Sequence, residues 1–138
     1  MKLVVHVDGG SRGNPGPAAA AAVVSTPDGE VLDESSVSLG HATNNVAEYR
    51  GLLLGLARAR ELGATEVEVV NDSELVAKQV NGEYKVKSPE MAALHAEALR
   101  ALEGFDAWTI RSVPRAQNAA ADALVNAALD GAHRQTAH

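Results

Sequence analysis

The chain has no cysteine among its 138 residues, which excludes disulfides and thiolate metal sites and points to a reducing compartment. Aromatic residues are nearly absent. Tyr49, Tyr84, Phe105 and Trp108 are the whole set, and Tyr84 and Trp108 are expected at the core or its rim rather than as platforms for stacked bases. No apolar run approaches the ~20 residues that a membrane span needs, and Met1 leads straight into a strand rather than a signal peptide. The expectation is a soluble, cytoplasmic protein with no membrane partner. Positive charge is also scarce: 12 Lys and Arg stand against 18 Asp and Glu, a net charge of −6. That balance predicts no strong basic footprint, so a polyanionic partner would have to be held with the help of bound cations. The five histidines, at 6, 41, 95, 133 and 138, show no metal-binding spacing. His6 reads as a packed strand residue.

What is present is apolar and patterned. Hydrophobic residues make up 46% of the chain, and a chain of this length buries roughly two-thirds of its unfolded surface. That suits one domain over residues 1–130, followed by a polar tail over 131–138 that resembles a trimmed linker. Residues 2–8 (KLVVHVD) read as a central strand, with branched residues on both faces. DGGSRGNPGP after it reads as a loop. Residues 18–25 and 30–40 form two strands joined at Asp28-Gly29, a hairpin signal. Residues 43–62 place Val46, Tyr49, Leu53, Leu56 and Ala57 on one helical face, and Gly63 ends that helix. Residues 65–71 alternate as a strand, and a helix begins near Asp72 and fades at Asn81-Gly82. Pro89 opens the next helix, with Met91, Leu94, Ala98 and Leu102 as its stripe. Residues 107–113 are the last strand and 118–130 the last helix. The order is βββαβααβα: three antiparallel strands, then helical crossovers that make the later strands parallel to the first.

Four acids stand at strand ends or early helical turns of this scheme: Asp8, Glu48, Asp72 and Asp122. Asp8 and Asp72 fall at the carboxyl ends of neighbouring parallel strands, where open α/β sheets place their sites. Clustered carboxylates repel one another unless cations neutralise them. Oxygen-only ligands suit hard ions such as Mg²⁺ or Mn²⁺, and such ions cleave phosphodiesters. Singly, each acid also has an ordinary reading. Asp8 suits a turn, Glu48 a capping arrangement with Asn45, Asp72 a helix N-cap and Asp122 a solvated helix face.

The motifs DGGSRGNPGP, TNNVAEYRGLLLGL, NDSELVAKQVNGEYKVK and RAQNAAADALVNAAL, in this order and spacing, resemble the ribonuclease H type 1 family over residues 2–130. The resemblance implies a ribonuclease H-like α/β fold with a five-stranded mixed sheet flanked by helices. It implies hydrolysis of the RNA strand of RNA–DNA hybrids by two Mg²⁺ ions, with Mn²⁺ able to substitute, giving 5′-phosphate and 3′-hydroxyl ends. The biological role would be removal of primer and R-loop RNA by a monomer. Asp8, Glu48, Asp72 and Asp122 match the catalytic, metal-holding carboxylates. Gly9, Gly10, Ser11, Arg12, Gly13, Asn14 and Pro15 match the segment that meets the RNA minor groove, where the 2′-hydroxyl distinguishes RNA from DNA. Thr43, Asn44 and Asn45 match the pocket for a DNA phosphate, and Ser73, Arg115 and Asn118 complete the nucleic-acid contacts.

Three departures mark a compact subtype. The loop SVPRAQN has no histidine, and Arg115 stands there instead. The segment GEYKVKSPE supplies only Lys85 and Lys87 where longer members carry a basic insertion. Glu74 follows Asp72 where a neutral amide is common. The rival readings are a related carboxylate nuclease acting on double-stranded RNA or another nucleic acid, and a non-catalytic hybrid-binding module. The GNPG and TNN segments argue against the first, and four intact carboxylates against the second.

Overall fold

The structure, a computed structural model, describes residues 1–136, with side chains through Gly131. The elements are β1 (Lys2–Ser11), β2 (Gly16–Ser25), β3 (Val31–Ala42), α1 (Asn44–Glu61), β4 (Glu66–Asn71), α2 (Glu74–Val80), α3 (Pro89–Glu103) and β5 (Ala107–Ser112). A 3-10 turn (Arg115–Asn118) then leads into α4 (Ala119–Thr136). The strands form one mixed sheet in the order β3-β2-β1-β4-β5. The β1–β2 and β2–β3 pairs are antiparallel, and β1–β4 and β4–β5 are parallel. The antiparallel start, and later strands parallel to the first, are what the hydrophobic pattern predicts.

Helices cover both faces of the sheet, and the alternation of β2 shows how. Ala22 and Val24 point into the main core with Leu3, Val5, Tyr49, Leu52 and Leu56. Ala19 and Ala21 point the other way, against Val125 and Leu129 of α4. Alanine is a poor strand former, but a strand enclosed on both sides has room for little else: Ala18 to Ala22 are all buried. The stripe expected on α3 (Met91, Leu94, Ala98, Leu102) is buried as a set. On α1 the buried face is rotated from the expected one. Tyr49 and Leu56 are inside, joined by Leu52 and Ala59, while Leu53 is half-buried and Ala57 exposed. Packing of α1 against α3 as well as the sheet selects that face.

The turn signals hold. Gly29 closes the β2–β3 hairpin at φ +96 and Gly63 follows α1 at φ +87, backbone values that side-chain-bearing residues rarely adopt. The glycine-rich loop is a correction. β1 continues through Gly9, Gly10 and Ser11, which pair with Ala20, Ala19 and Ala18, so only Arg12–Pro15 turn, with a cis Asn14–Pro15 peptide. Asp72 does not cap α2. That place belongs to Ser73, whose side chain accepts from the Val76 N–H. α4 stays helical to Thr136, beyond the expected end at residue 130. His138 lies outside the described residues, as do the side chains of residues 132–138. Among the described residues, no helix is long and apolar enough to cross a membrane.

Candidate active site

The parallel pairing of β1 with β4 ends at His6 and Val70. Each strand then carries an acid two residues further on, Asp8 and Asp72, so the two carboxylates face each other where the strands part. The third acid arrives by close packing of a helix. A Cβ on Gly51 of α1 would lie 2.4 Å from the Asp8 carbonyl oxygen, and one on Gly9 would lie 2.0 Å from the Ala47 carbonyl oxygen. Both distances are far inside contact. The absence of side chains at Gly9 and Gly51 therefore lets α1 lie directly on the end of β1. Glu48, one turn before Gly51, is delivered beside Asp8. Carboxylate oxygens of Asp8, Glu48 and Asp72 all fall within 4.8 Å of one another. The fourth acid, Asp122, lines the same cleft of about 220 Å³ from the α4 side but stands outside that trio. Asn126, one turn on, donates to its backbone carbonyl at 3.2 Å and reaches its carboxylate at 3.5 Å.

Charge crowding shows in the proton affinities. Asp8 is pushed up to about 8, first by burial and then by the neighbouring Asp72 carboxylate, with Asp122 adding a smaller push. Glu48 is pushed up to about 9, mainly by burial and then by Asp8 and Asp72, with Arg115 opposing. Without a cation, burial and the crowding of like charges favour protons on Asp8 and Glu48 at neutral pH. A divalent ion would take the place of those protons. Three carboxylates with no nitrogen or sulfur donor make a set that fits a hard, oxygen-seeking cation.

Around the acids, polar side chains mostly hold backbone. Asn44 accepts from the Ser11 N–H at 2.9 Å, and Asn14 accepts from the Asn44 N–H at 3.1 Å. Two asparagines thus tie the Arg12–Pro15 turn to the start of α1. Thr43 caps α1 through the Val46 N–H, and Asn45 is exposed on its first turn. Arg12 pairs with Asp130 of α4 at 2.8 Å. Arg115, with its side chain 79% exposed, places its Nε 3.8 Å from the Asp72 carboxylate. Asn118, expected to touch nucleic acid, is only 1% exposed and donates to the Val7 carbonyl at 2.8 Å. Its partner is internal.

The model of the family described as "Reverse transcriptase-like" matches residues 6–128. The chain is 51% identical over 138 residues to the bifunctional protein Rv2228c of Mycobacterium tuberculosis, covering 99% of this chain and 38% of that protein. It thus spans well under half the length of the mycobacterial relatives it matches. The solved N-terminal RNase H domain of Rv2228c superposes with a TM-score of 0.95 at 50% identity, covering 99% of both chains. This chain belongs to the ribonuclease H1 family. RNase H1 of the archaeon Halobacterium salinarum is similar over 95% of this chain and 99% of that one, at 43% identity and a TM-score of 0.93. LC11-RNase H1, solved in complex with an RNA/DNA hybrid, matches at 40% identity and a TM-score of 0.90 over 94% of this chain and 98% of that one.

Within this ribonuclease H1 domain, sequence reasoning missed Asn71. Its side chain is buried between β4 and β5, where it donates to the Arg111 carbonyl at 3.2 Å and accepts from the Ser73 N–H at 2.7 Å. It fixes the backbone on both sides of Asp72. The only hint was a polar residue ending a Val-rich strand. Gly51 and Gly55 were also passed over, although two glycines one turn apart inside a helix, each costing about 1 kcal/mol against alanine, signal close packing.

Proposed function

We propose that this domain is an endoribonuclease that hydrolyses the RNA strand of RNA–DNA hybrids with divalent cations, leaving 5′-phosphate and 3′-hydroxyl ends. The observation that carries it is the convergence of Asp8, Glu48 and Asp72 within 4.8 Å, in a chain of the ribonuclease H1 family. LC11-RNase H1, a relative of the same fold, has been solved with an RNA/DNA hybrid. Asp8, Glu48 and Asp72 would hold the ions from the floor of the cleft, and Asp122 would join them from its wall. When bound, a pair of Mg²⁺ ions supplies Lewis-acid activation of water and neutralises charge on the departing oxygen.

The chain's own groups do the rest. The Gly10–Pro15 segment, made thin by its glycines, brings backbone and the Asn14 side chain to the minor groove, where the 2′-hydroxyl is exposed. Thr43 and Asn45, with the side-chain N–H₂ of Asn44, offer donors to a DNA phosphate at the start of α1, where the helix dipole favours an anion. Ser73 supports Asp72 by capping α2. Arg115 supplies a fixed positive charge to an oxyanion beside Asp72 and, as a guanidinium, delivers no proton near neutral pH. The same proposal assigns Mg²⁺ as the working ion with Mn²⁺ substituting, and action as a cytoplasmic monomer on primer and R-loop RNA.

The test is one labelled sequence presented as RNA–DNA, RNA–RNA, DNA–DNA and single-stranded RNA, each with and without Mg²⁺. Cleavage confined to the RNA of the hybrid is expected. Preferred cleavage of RNA–RNA would transfer the reading to a double-stranded RNA nuclease, and hybrid binding without cleavage would leave a binding module.

A further inference from the structure

Beyond His6 and Val70, β1 and β4 no longer pair, and one residue spans from the far end of the chain to the strand that bears Asp8. Asn118, 1% exposed, donates its side-chain N–H to the carbonyl of Val7, 111 residues away, at 2.8 Å. Val7 immediately precedes Asp8. Asn118 itself ends the 3-10 turn that starts at Arg115, and α4 begins at the next residue. Asp122 is the fourth residue after Asn118, on the first turn of that helix. This buried hydrogen bond ties the start of α4 to the strand end that bears Asp8, while Val125 and Leu129 seat the following turns on β2. The other polar side-chain contacts next to Asp72 and the Asp122 carboxylate are longer: Arg115 lies 3.8 Å from Asp72, and Asn126 reaches the Asp122 carboxylate only at 3.5 Å. The Asn118 side-chain oxygen is buried with no partner among the described residues, so the amide is committed to the Val7 carbonyl and not to a wider network.

We infer that Asn118 is a positioning residue that sets the contribution of Asp122 to divalent-ion binding. It acts through the backbone on either side of it and does not touch nucleic acid. The inference deepens the nuclease reading and rests on it for the identity of the ions, while its test does not need turnover. Because Asp122 stands apart from the close trio, its participation depends on how α4 is seated. Loosening the seat should weaken ion binding as removal of the carboxylate does.

The experiment measures Mn²⁺ binding to the full chain by electron paramagnetic resonance for wild type, Asn118→Ala, Asp122→Asn and the double variant, with thermal melting of each. Asn118→Ala is expected to weaken Mn²⁺ binding several-fold, by a factor close to that of Asp122→Asn, and the double variant to be no weaker than Asp122→Asn alone. In turnover, the Mg²⁺ concentration for half-maximal rate should rise by the same factor, with KM for hybrid unchanged and excess ion restoring the rate. Should Asn118→Ala fail to fold, Asn118→Ser, which keeps a donor of shorter reach, takes its place. Mn²⁺ affinity unchanged in a folded Asn118→Ala overturns the inference, as do effects that simply multiply in the double variant. A raised KM for hybrid with metal dependence intact would return Asn118 to the nucleic-acid contacts. A wild type that binds Mn²⁺ yet cuts no hybrid would sink the nuclease reading, while the comparison of binding would still decide the role of Asn118.

Discussion

Gly51→Ala tests the packing that assembles the site. In an unconstrained helix this change stabilises by about 1 kcal/mol. Here the new methyl would sit 2.4 Å from the Asp8 carbonyl oxygen, 3.0 Å from its carbonyl carbon and 3.3 Å from its nitrogen. All three atoms are strand backbone, which cannot rotate away as a side chain could. Ordinary contact begins near 3.4 Å, so α1 must lift off β1 by roughly an ångström. Overpacking of this kind costs about 1–3 kcal/mol, enough to cancel the propensity gain of about 1 kcal/mol and leave a net loss of up to about 2 kcal/mol. Glu48 lies one turn away on the same helix and would be carried off with it. Misplacement of a reacting group by about 1 Å can cost on the order of 10²-fold in rate. The assay is denaturant unfolding of Gly51→Ala beside Gly131→Ala, together with hybrid turnover. A Cβ at Gly131 meets nothing within 4 Å among the described residues, so that variant should be as stable as wild type or slightly more so, with full activity. A Gly51→Ala protein of undiminished stability and rate would refute the argument that this glycine seats Glu48.

Asp8→Asn should abolish turnover yet raise the melting temperature of the metal-free protein. Asp8 and Glu48 bind protons more tightly folded than unfolded, so their stabilisation is full below the ordinary carboxylate range and is lost as pH rises through about 8 to 9. In EDTA the wild-type melting temperature should therefore fall between pH 6 and 9, less steeply in Asp8→Asn, and a flat wild-type curve would contradict the assigned crowding. Arg115→Ala should lower turnover about tenfold, or about 1.4 kcal/mol on the barrier, and Arg115→His should introduce a titration near pH 6–7. Wild-type values for both variants from pH 6 to 9 would leave that loop without a role. Asp130→Asn should free Arg12 from its 2.8 Å partner for a phosphate. KM for hybrid would drop a few-fold and the salt dependence steepen by up to about one counterion, whereas an unchanged salt slope would show Arg12 makes no such contact.

Much of this was legible because local chemistry and global fold agree. The Val-rich strands, the Asp28-Gly29 turn, Gly63 after α1 and Pro89 at the start of α3 each answer to short-range rules, and the element order with its antiparallel-then-parallel pairing follows from them. The acids were recognisable by position, two at parallel strand ends and two on early helical turns. Glycine was the source of the main misreading. Gly9 and Gly10 look like turn residues in sequence, but Gly9 is empty to admit a helix, a tertiary demand invisible in its neighbours. The burial of Asn118 was hidden for the same reason. A hydrogen bond to a carbonyl 111 residues away leaves no periodic trace, so an asparagine near an acid reads as a contact for substrate rather than as a strut. The standing of Asp122 apart from Asp8, Glu48 and Asp72 depends on the seating of α4, and spacing along a chain does not encode that distance.

The central claim is that cation-loaded carboxylates cut the RNA of a hybrid, and one gel examines it most directly. A 5′-labelled RNA annealed to complementary DNA is incubated with the domain in Mg²⁺, in EDTA, and in EDTA followed by excess Mg²⁺. The account predicts internal cuts ending in 3′-hydroxyl groups with Mg²⁺, none with chelator, and recovery on re-addition. Undiminished cleavage in EDTA, or products ending in 2′,3′-cyclic phosphate, would contradict it.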